Sequence, residues 1–468
     1  MNDQAPGILD RTLRRFRQAW RLRGMGRGPL QDGVAPDLPD VDAARLRRQV
    51  DACLEGRGGQ VSARARAADL GETYLVLNTT GRRRFLEILA REYDVDPAVT
   101  DAAIYARQQA IDEAARREAE SSLREALVPP RVKLLRQFNE LSQGVKFLVD
   151  LRAELMVFAD ADPELKALDA DVHALLVSWF DVGFLDLKSI TWATPASLLE
   201  KLIEYEAVHA IRSWDDLKNR LEADRRCYAY FHPRMPDEPL IFVQVALVKG
   251  MSDNVQRLLD EDALSGDPEE ADTAIFYSIS NCHRGLAGVN FGNFLIKRVV
   301  DDLARDLPKV KTFATLSPIP GFRPWLHELH NRDANDDFSE DERQQLEEAT
   351  GEPDPNAALE QVLEQSDWFK ADEICLLLEP LLLRLCARYL VQARDGERAR
   401  DRVAHFHLTN GARIERINWL ADTSPQGIAQ SAGLMVNYRY KLEDIEKNHE
   451  AYASRGKVTT WLGVRKLL

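Results

Sequence analysis

The sequence predicts an α+β protein in which an all-α helical bundle is followed by a mixed α/β domain. Three observations carry this. Over 40–180, apolar residues return at steps of three and four. Over 226–316, short β-branched runs alternate with turn clusters and one helix. The change of pattern falls at 180–190.

The elements follow in chain order. Residues 1–39 read as a basic, flexible arm: Arg11, Arg14, Arg15, Arg17, Arg21, Arg23 and Arg27 stand against Asp3 and Asp10, and a Gly/Pro-rich stretch follows. Residues 40–180 form the bundle. Leu134, Phe138, Leu141, Val145 and Leu148 draw one apolar stripe, which predicts a single helix started by Pro129-Pro130. Segments 83–92, 101–126 and 164–180 have the same period.

Residues 181–468 are the mixed domain. A helix is expected over 196–208, then strands at 226–232 and 240–248 around a proline-rich turn, a strand at 274–280, a helix at 294–303 and a strand at 310–316. That helix has the length to cross over between parallel strands. Late strands are expected at 404–408, 413–420 and 434–440, the first two forming a hairpin across Asn410-Gly411. The acidic stretch at about 331–368 reads as an exposed helical insertion. Asp333-Ala-Asn335-Asp-Asp337 begins like a calcium loop, but Phe338 replaces the required glycine and Gln344 the closing glutamate.

At roughly 100–200 residues per domain, 468 residues hold about two to four domains. A net charge of -14 argues against a nucleic-acid partner, although a local basic site is compatible with it. No segment approaches the roughly 18 uncharged apolar residues of a membrane span. Cys53, Cys227, Cys282, Cys375 and Cys386 form no ligand-spaced pair, so no metal site or disulfide framework is read from them. A reducing compartment, the cytoplasm, is the expectation. The Arg-rich start also resembles a mitochondrial transit peptide, and the plain basic arm is preferred over it.

Chemistry gathers late in the chain. Gly285-Leu-Ala-Gly-Val-Asn-Phe-Gly-Asn293 lies between a strand and a helix, where backbone can approach a phosphate at the helix start; tight packing explains the glycines equally well. It matches neither G-x-x-x-x-G-K-[ST] nor G-x-G-x-x-G. Ser317 ends the following strand, so it and the glycine loop are expected to share a crevice at the carboxyl ends of parallel strands. A serine satisfying its own turn is the alternative. His405-Phe-His407, read as strand, could offer a metal two ligands without a third. His407 alone could be an acid or base with an ordinary pKa of about 6.5, or a satisfied core histidine. Glu206 and His209 are expected at i, i+3 on one helix, more as a surface pair than a dyad.

Five segments together resemble the malonyl-CoA decarboxylase family: Gly285-Leu-Ala-Gly-Val-Asn-Phe-Gly-Asn-Phe-Leu-Ile-Lys-Arg-Val299, Leu316-Ser-Pro-Ile-Pro-Gly-Phe322, Phe406-His-Leu-Thr-Asn-Gly-Ala412, Arg416-Ile-Asn-Trp-Leu-Ala-Asp422 and Gly433-Leu-Met-Val-Asn-Tyr-Arg-Tyr440. The resemblance runs from about 183 to 440 and more loosely over the helical third. It implies a helical oligomerisation domain, a GNAT-like (acetyltransferase-type) catalytic domain and a homotetramer. It implies that Ala287, Gly288, Val289, Asn290, Phe291, Gly292 and Asn293 hold the CoA diphosphate, with Ser317 and His407 catalytic. Asn290 stands where some relatives carry a glutamate near the histidine. The implied reaction takes malonyl-CoA to acetyl-CoA and carbon dioxide through an enolate that the thioester carbonyl delocalises, so no metal or organic prosthetic group is required. An acyl-CoA-dependent N-acyltransferase is the rival on the same fold.

Overall fold

The computed structural model describes residues 33–55, 59–141, 143–180, 182–289, 295–330 and 338–468. The chain forms two compact units. One runs to Leu185 and takes in His232–Asp237 and His283–Asn290; the other comprises Asp186–Phe231, Glu238–Cys282 and Phe291–Leu468.

The first unit is helical: α1 (Asp40–Leu54), α2 (Gly59–Val76), α3 (Thr79–Glu92), α4 (Pro97–Gln109), α5 (Glu113–Ala126), α6 (Pro130–Phe138), α7 (Gly144–Phe158) and α8 (Pro163–Trp179). The stripe from Leu134 to Leu148 is buried at every expected position. It is nevertheless carried by two helices: Gln143 takes a left-handed φ of 65°, and Gly144 lies so near Phe138 that a Cβ would fall 1.7 Å from the Phe138 carbonyl oxygen. The single helix expected over 101–126 is also two. Ala110 is extended, and Asp112 restarts the helix by accepting from the Ala115 N–H. The core holds Tyr74, Phe85, Phe138 and Phe147 in edge and stacked contacts 5.0–5.7 Å apart. Beside them Glu154 accepts from the Tyr74 hydroxyl at 2.5 Å and from Arg82 at 2.7 Å. This pairs a carboxylate that burial would otherwise penalise.

The second unit carries an eight-stranded mixed sheet: β1 (Asp186–Ile190), β2 (Arg225–His232), β3 (Met235–Val248), β4 (Thr273–Asn281), β5 (Thr312–Thr315), β6 (Ser317–Pro318), β7 (Arg413–Asn418) and β8 (Met435–Tyr440). The order is β1-β2-β3-β4-β5-β8-β6, with β7 also on β8. As expected, β4 and β5 are parallel, and α12 (Leu295–Asp306) is the connecting helix. Register against β8 is continuous from Phe313↔Tyr440 through Val436↔Ser317 to Met435↔Pro318, so β5 and β6 are one strand interrupted near Leu316.

Before this helix come α9 (Ala196–Tyr205), α10 (Trp214–Asn219) and α11 (Val255–Leu258). After it come α13 (Phe322–His330), α14 (Glu340–Thr350), α15 (Pro355–Leu363), α16 (Asp372–Gln392) and α17 (Arg402–Thr409). The first corrects the helix expected to reach Val208. It stops at Tyr205 because Glu206 turns extended and folds its carboxylate onto the Val208 and His209 N–H groups.

The acidic insertion is helical, as expected, and less exposed than expected. Leu346, Leu359, Val362 and Trp368 are buried, so one face packs inward. Residues 331–337, start of the rejected calcium loop, lie outside the described residues.

The largest correction concerns 404–408, which is α17 and not a strand. Asp401 caps it, its carboxylate accepting from the Val403 and Ala404 N–H groups at 2.9 Å. Asn410-Gly411 ends this helix instead of turning a hairpin. Gly411 has φ 82°, and the Ala412 N–H returns to the His407 carbonyl.

Candidate active site

Two strands and one helix build the site within the second unit. Thr315 and Ser317, two residues apart on the interrupted strand, share a face, as do Tyr438 and Tyr440 on β8. His407 projects from α17 between them. Ser317 Oγ lies 3.0 Å from His407 Nε2 and donates to Thr315 Oγ1 at 2.8 Å. His407 Nδ1 lies 2.7 Å from the Tyr440 hydroxyl. The imidazole stacks on Tyr438, with ring centroids 4.5 Å apart and 25° between planes.

The directions of these bonds follow from one another. The Ser317 proton is committed to Thr315, so Ser317 Oγ accepts the proton on His407 Nε2. That leaves Nδ1 bare to accept from Tyr440. The resulting chain runs Tyr440 to His407 to Ser317 to Thr315. Thr315 is anchored in turn: its Oγ1 also accepts from the Tyr438 N–H at 3.1 Å, and its carbonyl accepts from Asn437 Nδ2 at 2.7 Å. These side-chain bonds accompany the break between β5 and β6 and fix where Ser317 stands.

His407 is 2% exposed. Burial pushes its pKa down to about 3, so the ring is a neutral N–H donor near pH 7 and not the near-neutral titrating group read from the sequence. Burial raises the Tyr440 phenol well above its ordinary value, keeping it a donor. Among the described residues no carboxylate hydrogen-bonds His407, and its Nδ1 faces the Tyr440 hydroxyl; Asn290 lies outside the described residues.

Asp401 ties together the segments that carry Ser317 and His407. Besides capping α17, it accepts from the Gly321 N–H at 3.3 Å, in the turn that follows Ser317, and from the Tyr389 hydroxyl at 3.4 Å. A Cβ on Gly321 would lie 2.0 Å from that hydroxyl oxygen, so this close approach requires glycine.

The other sequence candidates separate. His405 does not pair with His407: on a helix, residues two apart diverge, and its Nδ1 contacts the Tyr452 hydroxyl at 2.8 Å. Among the described residues no group of three or more His, Cys, Asp or Glu is placed to hold a metal. Glu206 accepts from Ser278, Ser280 and Gln244 besides the two backbone amides, and its bond to His209 is to the backbone. It is a structural carboxylate that ends α9. A cavity of about 1100 Å³ borders His209, Gln256 and Asp422 and includes neither Ser317 nor His407 in its lining.

Of the seven residues from Ala287 to Asn293, Ala287, Gly288 and Val289 are described, in the helical unit; Asn290, Phe291, Gly292 and Asn293 lie outside the described residues. The Ala287 and Val289 N–H groups close turns onto the Arg284 and Leu286 carbonyls, and Gly288 takes φ 78°.

Sequence reasoning missed Thr315, Tyr438, Tyr440 and Asp401. The available signals were the Thr-x-Ser and Tyr-x-Tyr spacings, each placing two polar tips on one strand face, and an Asp at a helix start.

Known proteins give a consistent picture. Residues 183–468 match the family model of the malonyl-CoA decarboxylase C-terminal domain, and residues 93–180 that of the N-terminal domain. The mitochondrial malonyl-CoA decarboxylase of Anser anser anser is 41% identical over 406 residues, which cover 83% of this chain and 80% of the relative. That of Mus musculus is 37% identical over 479 residues, covering 97% and 95%. The crystal structure of malonyl-CoA decarboxylase from Rhodopseudomonas palustris superposes with a TM-score of 0.83 at 42% identity, over 90% of this chain and 99% of that one. The Agrobacterium vitis enzyme gives 0.81 at 41%. With both family models matched in order and relatives above 35% identity along most of the chain, this protein belongs to the malonyl-CoA decarboxylase family.

Proposed function

We propose that this chain is a carboxy-lyase that converts malonyl-CoA to acetyl-CoA and carbon dioxide, with Ser317 and His407 at the malonyl end. The supporting observation is the buried Ser317–His407 contact of 3.0 Å, backed by Tyr440. The Ser317 hydroxyl turns from Thr315 to the malonyl group and orients it. As the carbon–carbon bond breaks, its electron pair enters the thioester enolate and carbon dioxide leaves. The donors at Ser317 and His407 stabilise the developing enolate charge. His407 then acts as general acid: the Nε2 proton passes to carbon 2, and water ultimately restores it. A neutral imidazole suffices because a thioester enolate is the stronger base, and the Tyr440 proton at Nδ1 steadies the charge left on the ring.

The diphosphate end is assigned to Ala287, Gly288, Val289, Asn290, Phe291, Gly292 and Asn293. No metal or organic prosthetic group enters the scheme. The helical unit is assigned to a homotetramer. Its support is the α4–α5 pair, which leaves Val99, Ile104, Tyr105, Ile111 and Leu127 exposed. Among the described residues no helix is long and apolar enough to cross a membrane. We assign the cytoplasm as compartment, and cell fractionation finding the protein in an organelle would reverse that.

The test of function is incubation of purified protein with carboxyl-labelled malonyl-CoA, a chelator and no amine acceptor. Labelled carbon dioxide and stoichiometric acetyl-CoA are expected. Turnover that appears only with an amine acceptor would install the N-acyltransferase reading instead.

A further inference from the structure

Two charged side chains fix the backbone between α9 and α10, and the residue they fix has a side chain that the fold leaves unused. Glu206 Oε1 accepts from the His209 N–H at 3.0 Å, and the same carboxylate is held by Gln244 of β3 and by Ser278 and Ser280 of β4. On the other side, Arg220 Nη1 donates to the His209 carbonyl at 2.8 Å, while its Nε donates to Asp216 Oδ1 at 2.7 Å. Glu206, Arg220 and Asp216 are all buried. Both backbone groups of His209 are therefore pinned, and its imidazole is not: among the described residues Nε2 is shut off from solvent and has no hydrogen-bond partner. A buried polar atom left in that state costs free energy, which a ligand completing the bond would recover.

His209 borders the cavity of about 1100 Å³, and so does Asp422, which is 3% exposed. Asp422 Oδ1 accepts from Gln256 Nε2 at 2.8 Å and from the Ser424 N–H at 3.0 Å; among the described residues its Oδ2 accepts no hydrogen bond. Charge then selects the ligand. Each arginine on the wall is paired, Arg212 with Glu261, Arg220 with Asp216 and Arg257 with Asp253. Asp260, Asp262 and Asp422 line the same cavity and have no ion pair among the described residues, so the uncommitted charge is negative. Burial lowers the His209 pKa against the pull of Asp422 and Glu206, and a neutral ring has one bare nitrogen to accept from an ammonium donor. Among the described residues no three His, Cys, Asp or Glu side chains are placed to hold a metal ion, which points to an organic cation. We propose that this cavity binds a small organic amine, its ammonium group paired with Asp422 and hydrogen-bonded to the His209 imidazole. Neither Ser317 nor His407 lines the cavity, so the site goes beyond the decarboxylase reading and does not depend on it.

The test is calorimetric titration of the full-length protein with spermidine, and with glutarate as an organic anion. Saturable spermidine binding with a Kd of about 1 mM or tighter is expected, and no binding of glutarate. Asp422→Asn keeps an acceptor for Gln256 and Ser424 and removes the charge; His209→Phe keeps a ring and removes its nitrogens. Each is expected to weaken spermidine roughly tenfold. Asp262→Asn, at an exposed position, is expected to weaken it by about threefold and carries the test should the buried variants not fold. Adsorption of a polycation to a chain of net charge -14 is the competing account. Adsorption leaves the affinity of every folded variant unchanged, and that result overturns the proposal. Saturable binding of glutarate, or no saturable heat with spermidine in the wild type, overturns it as well.

Discussion

The neutrality of His407 can be tested by moving pH from 8 to 5 in the wild type and in His407→Gln. In the unfolded chain this histidine titrates near 6.5; in the native state burial holds it near 3. Between those values the unfolded state binds a proton that the folded state refuses, so stability falls as pH falls. At pH 5 the loss from this one group is about 2 kcal/mol, rising to about 5 kcal/mol once pH drops below the native pKa. The variant lacks this term, while the other titrating groups, including His405 and His209, whose pKa values burial also lowers, contribute to both proteins and cancel in the difference. Urea unfolding of each protein at pH 8 and pH 5 measures it, and the wild type should lose about 2 kcal/mol more than His407→Gln. The same neutrality has a kinetic consequence. At pH 7 a group with a pKa near 3 is protonated about once in ten thousand molecules, so an imidazolium acid would lose about 5 kcal/mol of effectiveness. Single-turnover decarboxylation should therefore show no histidine ionisation between pH 5.5 and 8. Identical pH dependence of stability in both proteins, or a tenfold fall in rate per pH unit above 6.5 that the variant abolishes, would refute the argument.

Ser317→Ala should lower single-turnover decarboxylation by about a hundredfold and narrow the preference for malonyl-CoA over acetyl-CoA in competition, since the hydroxyl is proposed to address the group that distinguishes them. A folded variant with unchanged rate and selectivity would leave Ser317 as a turn residue. Tyr440→Phe strands Nδ1 without its donor, which should cost about 1–3 kcal/mol in urea unfolding and depress kcat more than it raises KM; a normal kcat would remove Tyr440 from the chain of donors. Asp401→Ala removes both the α17 cap and the link to Gly321, with about 2 kcal/mol lost and a fall in kcat, read by calorimetry and initial rates. Tyr105→Glu with Ile111→Glu should reduce the particle mass seen by light scattering, and an unchanged mass would move association elsewhere.

The parts of the fold legible in the sequence were those whose pattern runs long enough to declare its period. The β4–α12–β5 crossover is one: an apolar strand, an amphipathic helix and a second strand follow with glycine punctuation between them. The stripe from Leu134 to Leu148 was read correctly for burial and wrongly for continuity. A left-handed Gln143 and a close Gly144 interrupt the backbone without changing which residues face the core. The helix carrying His407 failed differently. Its eight residues span barely two turns, and His405-Phe-His407 imitates the alternation of a strand. Ala404, His407 and Leu408, buried at i, i+3 and i+4, hold the true period, and Asp401 marks the start. Ser317 and His407 were singled out by residue type and family resemblance. Their contact spans ninety positions and depends on the register of β8, which no local pattern encodes.

The burial that makes His407 a neutral donor also suits the chemistry assigned to it. Among the described residues neither Ser317 nor His407 hydrogen-bonds a cationic side chain. Under the proposed assignment a malonyl carboxylate placed there gains one or two neutral hydrogen bonds in exchange for its water shell and, among the described residues, no ion pair to anchor its charge. Decarboxylation removes that localised charge by spreading it over the enolate, so an environment of neutral dipoles disfavours the carboxylate more than the transition state. A lysine or charged histidine beside Ser317 would bind substrate more tightly and hold the carboxylate in its ground state. The Tyr440–His407–Ser317–Thr315 chain supplies donors without adding net charge. That property accounts for a tyrosine hydroxyl, and not a carboxylate, facing Nδ1: a carboxylate there would raise the histidine pKa toward the protonated form that this site excludes.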